Sequence, residues 1–174
     1  MLDVHVLTMP DTPAAWVAER RASLCDAVAS AGYPVTIREI RGAAGHIGEG
    51  RERGYALGSA PYVTYVDDDD FVLPRAFAAL LPPMLSGCDA AYPWELLWRN
   101  GHIQEARHRH HLAVYRREIA CGFDHSAWRA CGDLALQEAT SGVEITEFLY
   151  VHRVYVSGGR RLRWSVNELE RARA

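Results

Sequence analysis

Apolar and polar positions along the chain predict strands and helices in alternation. Leu2 to Leu7 alternates as a first strand, Thr12-Pro13 opens a helix with an amphipathic run from Ala14 to about Ala31, and Gly32 stops it. Pro34 to Ile40 reads as a second strand, Arg41 to Gly50 as a glycine-rich loop and Arg51 to Leu57 as a short helix leading to Gly58. Tyr62 to Val66 is β-branched or aromatic, which fits a largely buried strand, and Pro74 opens a helix over the Ala/Phe/Leu-rich segment behind it. Asp89 to Trp98 predicts a strand, Asn100-Gly101 a hairpin turn and His102 to Arg107 the returning strand. Cys121 to Asp124 reads as a turn, Asp133 to Thr140 as a helix and Val143 to Val156 as a strand, with a short last helix after Arg160-Arg161-Leu162-Arg163-Trp164. This order predicts an α/β fold in a single domain over residues 1–174, with a mainly parallel central sheet flanked by helices and a small antiparallel hairpin.

The buried strand ends in Asp67-Asp68-Asp69-Asp70. If extended geometry persists, Asp67 and Asp69 point to one side and Asp68 and Asp70 to the other. Carboxyl ends of strands are where open α/β sheets bind ligands. A paired-carboxylate face there suits a hard divalent ion, Mg2+ or Mn2+, which binds through one or two carboxylates and the oxygens of a phosphorylated substrate. A solvated acidic turn or a helix cap is the plainer alternative. The hydrophobic residues packed tightly on both sides of the run weigh against it, because charges held close to a core need a cation or donors. An EF-hand loop is excluded: the alternating acids, central glycine and distal glutamate are missing.

Composition narrows the picture. A chain of 174 residues with net charge -3 makes one ordinary domain and gives no global case for nucleic acid or an anionic membrane. Its 19 basic residues are all arginine. Cys25, Cys88, Cys121 and Cys131 form no Cys-x-x-Cys pair, so reduced thiols in a cytoplasmic protein are expected, with neither a leader nor a membrane span. Gly48, Gly50 and Gly54 miss the dinucleotide-binding spacing. His108, Arg109, His110 and His111 read as a polar rim rather than a metal site.

Three segments carry a resemblance to a known family. Gly50-Arg51-Glu52-Arg53-Gly54 with the run to Val63, Val66-Asp67-Asp68-Asp69-Asp70 followed by Pro74, and Cys121-Gly122-Phe123-Asp124 followed by Gly132-Asp133-Leu134 resemble the motifs of family 2 glycosyltransferases of the GT-A fold, in order and spacing, over roughly residues 45–155. The resemblance implies a compact GT-A-like domain that moves a sugar from a nucleotide-diphosphate sugar, a UDP-sugar first among them, to an acceptor hydroxyl with inversion. It implies that Asp69 ligates Mn2+ or Mg2+, that Asp67 holds the ribose or helps at the metal, and that His152 is a second ligand. Arg51 and Asp68 would face the nucleotide sugar, Glu39 would stand in for the absent nucleobase-reading aspartate, and Arg160, Arg161 or Arg163 would reach the diphosphate. Asp133 would be the general base.

Each role has a structural competitor. Asp133 fits a helix cap, His152 a satisfied structural histidine, Arg51 a brace for the acidic turn, and Phe123 and Trp128 a core or cleft wall. Gly132 replaces the glutamate that usually precedes the base. A nucleotidyltransferase of related fold and a non-catalytic nucleotide-sugar or glycan binding module are the alternatives. The sequence leaves the acceptor open between a glycan and a small molecule, with a DNA base as a minority reading. For it, Trp94, Trp98, Arg99, Arg107, Arg109, Arg116 and Arg117 offer rings and cations.

Overall fold

The computed structural model describes residues 1–43, 46–99, 102–106, 111–125 and 132–154, without the side chains of residues 106, 132–134 and 154. Strand β1 (Leu2–Thr8) is buried at nearly every position and pairs in parallel with β2 (Val35–Arg41) on one side and β3 (Tyr62–Asp67) on the other. Both of its faces are also covered: Leu2, Val4 and Val6 lie in the core, while Asp3 and His5 on the other face are buried with hydrogen-bond partners from the protein. Helix α1 (Ala14–Ala29) lies on one face through Trp16, Arg20, Ser23, Leu24 and Ala27, the stripe that helical spacing puts on one side. It starts two residues after Thr12, whose side chain hydrogen-bonds Asp68 instead of capping the helix.

Helix α2 (Ile47–Ala56) begins inside the segment expected as a loop. Its glycines explain the difference. A Cβ on Gly50 would lie 2.6 Å from Cδ1 of Leu7, and one on Gly54 2.6 Å from Cδ1 of Ile40, so this bare face lets the helix lie directly on β1 and β2. The close approach also brings Arg51, one residue on, toward the end of β3.

The sheet has the order β2-β1-β3-β7-β5-β8-β4, where β4 is Phe71–Val72, β5 Ala90–Arg99, β7 Val114–Arg116 and β8 Gly142–Val154. It is mixed rather than mainly parallel. β1, β2 and β3 run together and β5 runs with β8, but β7 is antiparallel to both β3 and β5, and β4 is antiparallel to β8. The short strand β7 reverses direction between two parallel groups, so one sheet holds both senses. The expected hairpin is present as β5 with β6 (His102–Ala106), in register from Glu95↔Ala106 to Arg99↔His102. Helix α3 (Ala76–Leu85) buries Phe77, Leu80, Leu81 and Met84 in a core shared with Leu2, Val4, Val6, Leu24 and Val66. Helix α4 (Arg117–Gly122) takes up the first half of the expected turn, and α5 (Gly132–Glu138) covers most of the expected later helix.

At the amino ends of the strands, Asp3 accepts hydrogen bonds from Arg38 Nε at 2.9 Å, from the Ala60 N–H at 3.1 Å and from Arg117. Arg117 also bonds the carbonyls of Tyr55, Leu57 and Ala60, locking α4 to the floor of the sheet. Among the described residues Cys25, Cys88 and Cys121 are free thiols, and no helix is long and apolar enough to cross a membrane.

Candidate functional site

β1 and β3 end side by side, Leu7 opposite Asp67. Beyond them the chain turns sharply, the Asp70 N–H reaching the Asp67 carbonyl at 3.4 Å, and enters β4, which pairs with β8 at the far edge of the sheet. The acid run is thus a corner, and the alternation expected of an extended run stops at Asp67. Asp67, Asp68 and Asp69 all border one cavity of about 560 Å3, while Asp70 points into the protein.

The four acids have different duties. Asp70 is 1 % exposed and accepts from the Tyr150 hydroxyl at 2.8 Å, His152 Nδ1 at 3.0 Å and the Arg153 N–H at 2.7 Å. Burial raises its pKa, but these donors and the neighbouring histidines bring it below the usual carboxylate value. Asp68 is buried as well; it accepts from the Met9 N–H at 2.6 Å and from Thr12, which fastens the loop between β1 and α1. Burial outweighs those bonds and lifts its pKa. Asp67 and Asp69 are the partly exposed pair on the cavity wall. Asp67 lies 3.5 Å from Nη2 of Arg51, whose guanidinium sits 4.0 Å above the Tyr65 ring and borders the same space.

His152 borders the cavity from β8. Burial opposes its charge, yet Asp70 as hydrogen-bond acceptor and counter-ion raises its pKa to about 9. At neutral pH it therefore presents a positive charge to the cavity, and ligation of a metal would require it to give up that proton. Its ring stacks on that of His111, which is held by Glu95 at 2.8 Å.

Glu39 faces a separate hollow of about 310 Å3, bordered also by Thr8, Met9 and Arg41, at the carboxyl ends of β1 and β2. Its carboxylate is gripped by Arg21 at 3.0 and 2.9 Å and by Arg20 at 3.1 Å. The Arg21 bonds pull its pKa down to about 2, against burial and with help from Arg20. The structure thus brings Asp67, Asp68, Asp69, Arg51 and His152 together and leaves Glu39 beside them. Asp133 is the second residue of α5, and its side chain lies outside the described residues, as do Arg161, Arg160, Arg163 and the His108–His110 segment.

The expected acceptor platform is altered. Trp98 is 4 % exposed and packs in the core with Phe71 and Leu96, and Arg117 is tied to Asp3 at the opposite end of the sheet. Arg116 is spent on Asp89 and the carbonyls of Gly87 and Cys88. Trp94 keeps a partly exposed ring, paired with Phe148 at 5.4 Å and bonded to Glu144. Phe123 packs against a buried cluster, as its core reading implies. Trp16, Met9 and Arg153 also border the cavity and were not picked out in the sequence. An arginine amid the apolar run of β8 was the one available signal.

Among solved structures, the chain is similar to residues 1–349 of S. aureus TarS, with a TM-score of 0.62 and 12% identity over 87% of this chain and 60% of that one. The same fragment with UDP-GlcNAc gives 0.62 and 11% over 90% and 59%. The 4-diphosphocytidyl-2C-methyl-D-erythritol synthase of Anaerococcus prevotii is similar at a TM-score of 0.52 and 8% identity, over 92% of both chains. The α/β fold is therefore one shared with these proteins; at such identities the likeness shows the fold alone. The chain spans about 60% of the TarS fragment. No protein-family model matches the sequence, and no curated protein matches it either.

Proposed function

We propose that the chain transfers a sugar from a nucleotide-diphosphate sugar, a UDP-sugar in the first place, to an acceptor hydroxyl, with Mn2+ or Mg2+ held at the acidic corner. The observation that carries this reading is the cavity at the ends of β1 and β3, lined by Asp67 and Asp69 together with Arg51 and His152. Its volume of about 560 Å3 suits a small-molecule ligand. The fold likeness to TarS, a protein crystallised with UDP and with UDP-GlcNAc, supports the same class of ligand.

The residues fit a divalent ion. Asp68 and Asp70 are buried and serve as acceptors for the protein, whereas Asp67 and Asp69 are the partly exposed pair on the cavity wall, in place to hold it. Among the described residues no group of three or more His, Cys, Asp or Glu is gathered for a metal. Two carboxylates completed by substrate oxygens form the usual set for such an ion. When bound, it supplies positive charge for the departing diphosphate.

The chain's own residues supply the rest. Arg51, fixed between Tyr65 and Asp67, holds a cation on the nucleotide side. Asp133 is the proposed base: its carboxylate takes the acceptor hydroxyl proton as that oxygen bonds to the anomeric carbon, and the bond to the diphosphate breaks on the opposite face, which inverts the centre. Arg161 is proposed to meet the diphosphate from the C-terminal segment, and the acceptor is a glycan or small molecule, with a DNA base as the lesser option.

One observation favours a second reading. The Anaerococcus prevotii synthase matches this chain over 92% of both lengths, and its name gives a diphosphocytidyl product. In that case the cavity would take a nucleoside triphosphate and a sugar phosphate and release pyrophosphate. A thermal-shift screen of UDP, GDP, CDP, ADP and dTDP, each with Mn2+ and with EDTA, on wild type and Asp69→Asn tests the first reading. One metal-dependent rise in melting temperature that the variant loses is expected. No shift with any diphosphate, together with pyrophosphate release from CTP and a sugar phosphate, would replace it by the second.

A further inference from the structure

The acidic corner forms one wall of the cavity, and an anion facing it needs a cation elsewhere. Arg153 on β8 is the most enclosed cation that borders this space, with a relative exposure of 5 %. Three rings surround its guanidinium: Trp16 at 4.3 Å, Phe71 at 4.5 Å and Trp98 at 4.9 Å from Cζ to ring centre. Nη2 donates to Glu19 at 3.1 Å. Nε and Nη1 have no hydrogen-bond partner among the described residues.

Ring faces stabilise the charge of such a group but do not replace directed hydrogen bonds, and enclosed N–H groups without acceptors cost free energy. Packing alone does not call for arginine here, since an uncharged, unbranched side chain would lie against the same three rings. The position is also fixed. The Arg153 main-chain N–H bonds Asp70 at 2.7 Å, so the strand that carries the guanidinium is tied to the corner that carries Asp67 and Asp69. The planar fork of arginine matches phosphoryl oxygens better than any other side chain.

We propose that Arg153 is a phosphate-binding residue of this cavity, its unspent N–H groups donating to a phosphoryl oxygen of a bound diphosphate; this rests on the reading of the cavity as a nucleotide-diphosphate site. The test is isothermal titration of wild type, Arg153→Met, Arg153→Lys and Glu19→Gln with inorganic pyrophosphate and, separately, with UDP, in Mn2+, alongside the melting temperature of each protein. Methionine keeps an unbranched apolar chain against the rings. Pyrophosphate affinity should fall roughly 10-fold or more in Arg153→Met, the scale of losing charge-assisted hydrogen bonds, and by less in Arg153→Lys, which keeps the charge without the fork. Glu19→Gln, which weakens the competing acceptor and leaves the arginine in place, should bind pyrophosphate as well as wild type or better. Equal affinity in wild type and both Arg153 variants, or weaker binding in Glu19→Gln, would overturn the assignment, and a lower melting temperature with unchanged affinity would make Arg153 a brace between α1 and β8. Pyrophosphate bound through Arg153 without any UDP binding would preserve this inference and remove the nucleotide reading. UDP bound equally by all four proteins would do the reverse.

Discussion

His152 and His111 lie face to face, their ring centres 3.7 Å apart and their planes inclined by 15°. Two imidazoles this close repel when both are protonated, and each is offset by its own buried carboxylate, Asp70 at 3.0 Å and Glu95 at 2.8 Å. Burial lowers the pKa of both, yet the carboxylates win and both stand above the ordinary histidine value.

The pairing of His152 with Asp70 makes stability depend on pH in a defined window. A histidine raised in the folded state from 6.5 to about 9 contributes stability that is fully present below 6.5 and is lost as pH rises through 9. The melting temperature of wild type should therefore fall between those values, and that of His152→Gln should stay flatter across them. Asp70→Asn, which leaves three donors facing a neutral amide, should cost about 3–5 kcal/mol by chemical denaturation.

Neighbouring acids should separate cleanly by substitution. Asp69→Asn is expected to lose the Mn2+-dependent rise in melting temperature that a nucleoside diphosphate gives the wild type. Asp68→Asn should instead lower the metal-free melting temperature, since one amide oxygen replaces the two carboxylate oxygens that accept from the Met9 N–H and Thr12 and fasten the β1–α1 loop. Differential scanning fluorimetry with and without metal reads both.

Far from the cavity, Arg117→Met should destabilise the fold by about 1–3 kcal/mol, because it leaves the carbonyls of Leu57 and Ala60 without its N–H groups and removes one donor from Asp3, which keeps Arg38 and the Ala60 N–H. Urea unfolding measures this, and ligand affinity of the folded protein should not change.

Much of the fold could be read from period and punctuation. The α1 stripe and the buried β1 and β3 follow from spacing that one helix face or one pleated surface imposes, and the antiparallel pair β5 and β6 from the turn signal between them. β4, β7 and α4 could not be read, since two, three and six residues are too few to show a period. Strand direction was also hidden: an apolar run looks the same in parallel and antiparallel pairing, so the reversal at β7 left no trace. At the candidate site, the position of Asp67 and Asp69 beside the cavity was legible because acids directly follow a buried strand. The inward roles of Asp68 and Asp70 were not, because their partners Met9 and Tyr150 lie 59 and 80 residues away. Glu39 was read for a vacant role, and its arginine partners on α1 only meet it once the helix packs.

Turnover is the decisive measurement for sugar transfer. Purified protein incubated with UDP-sugars, Mn2+ and a panel of hydroxyl acceptors should release UDP and form one glycosylated product. Release should stop with EDTA or in Asp69→Asn, and in Asp133→Asn it should fall at least 100-fold with donor binding retained. Absence of UDP release from any donor, with pyrophosphate appearing from a nucleoside triphosphate and a sugar phosphate, would rule out sugar transfer and make the protein a nucleotidyltransferase.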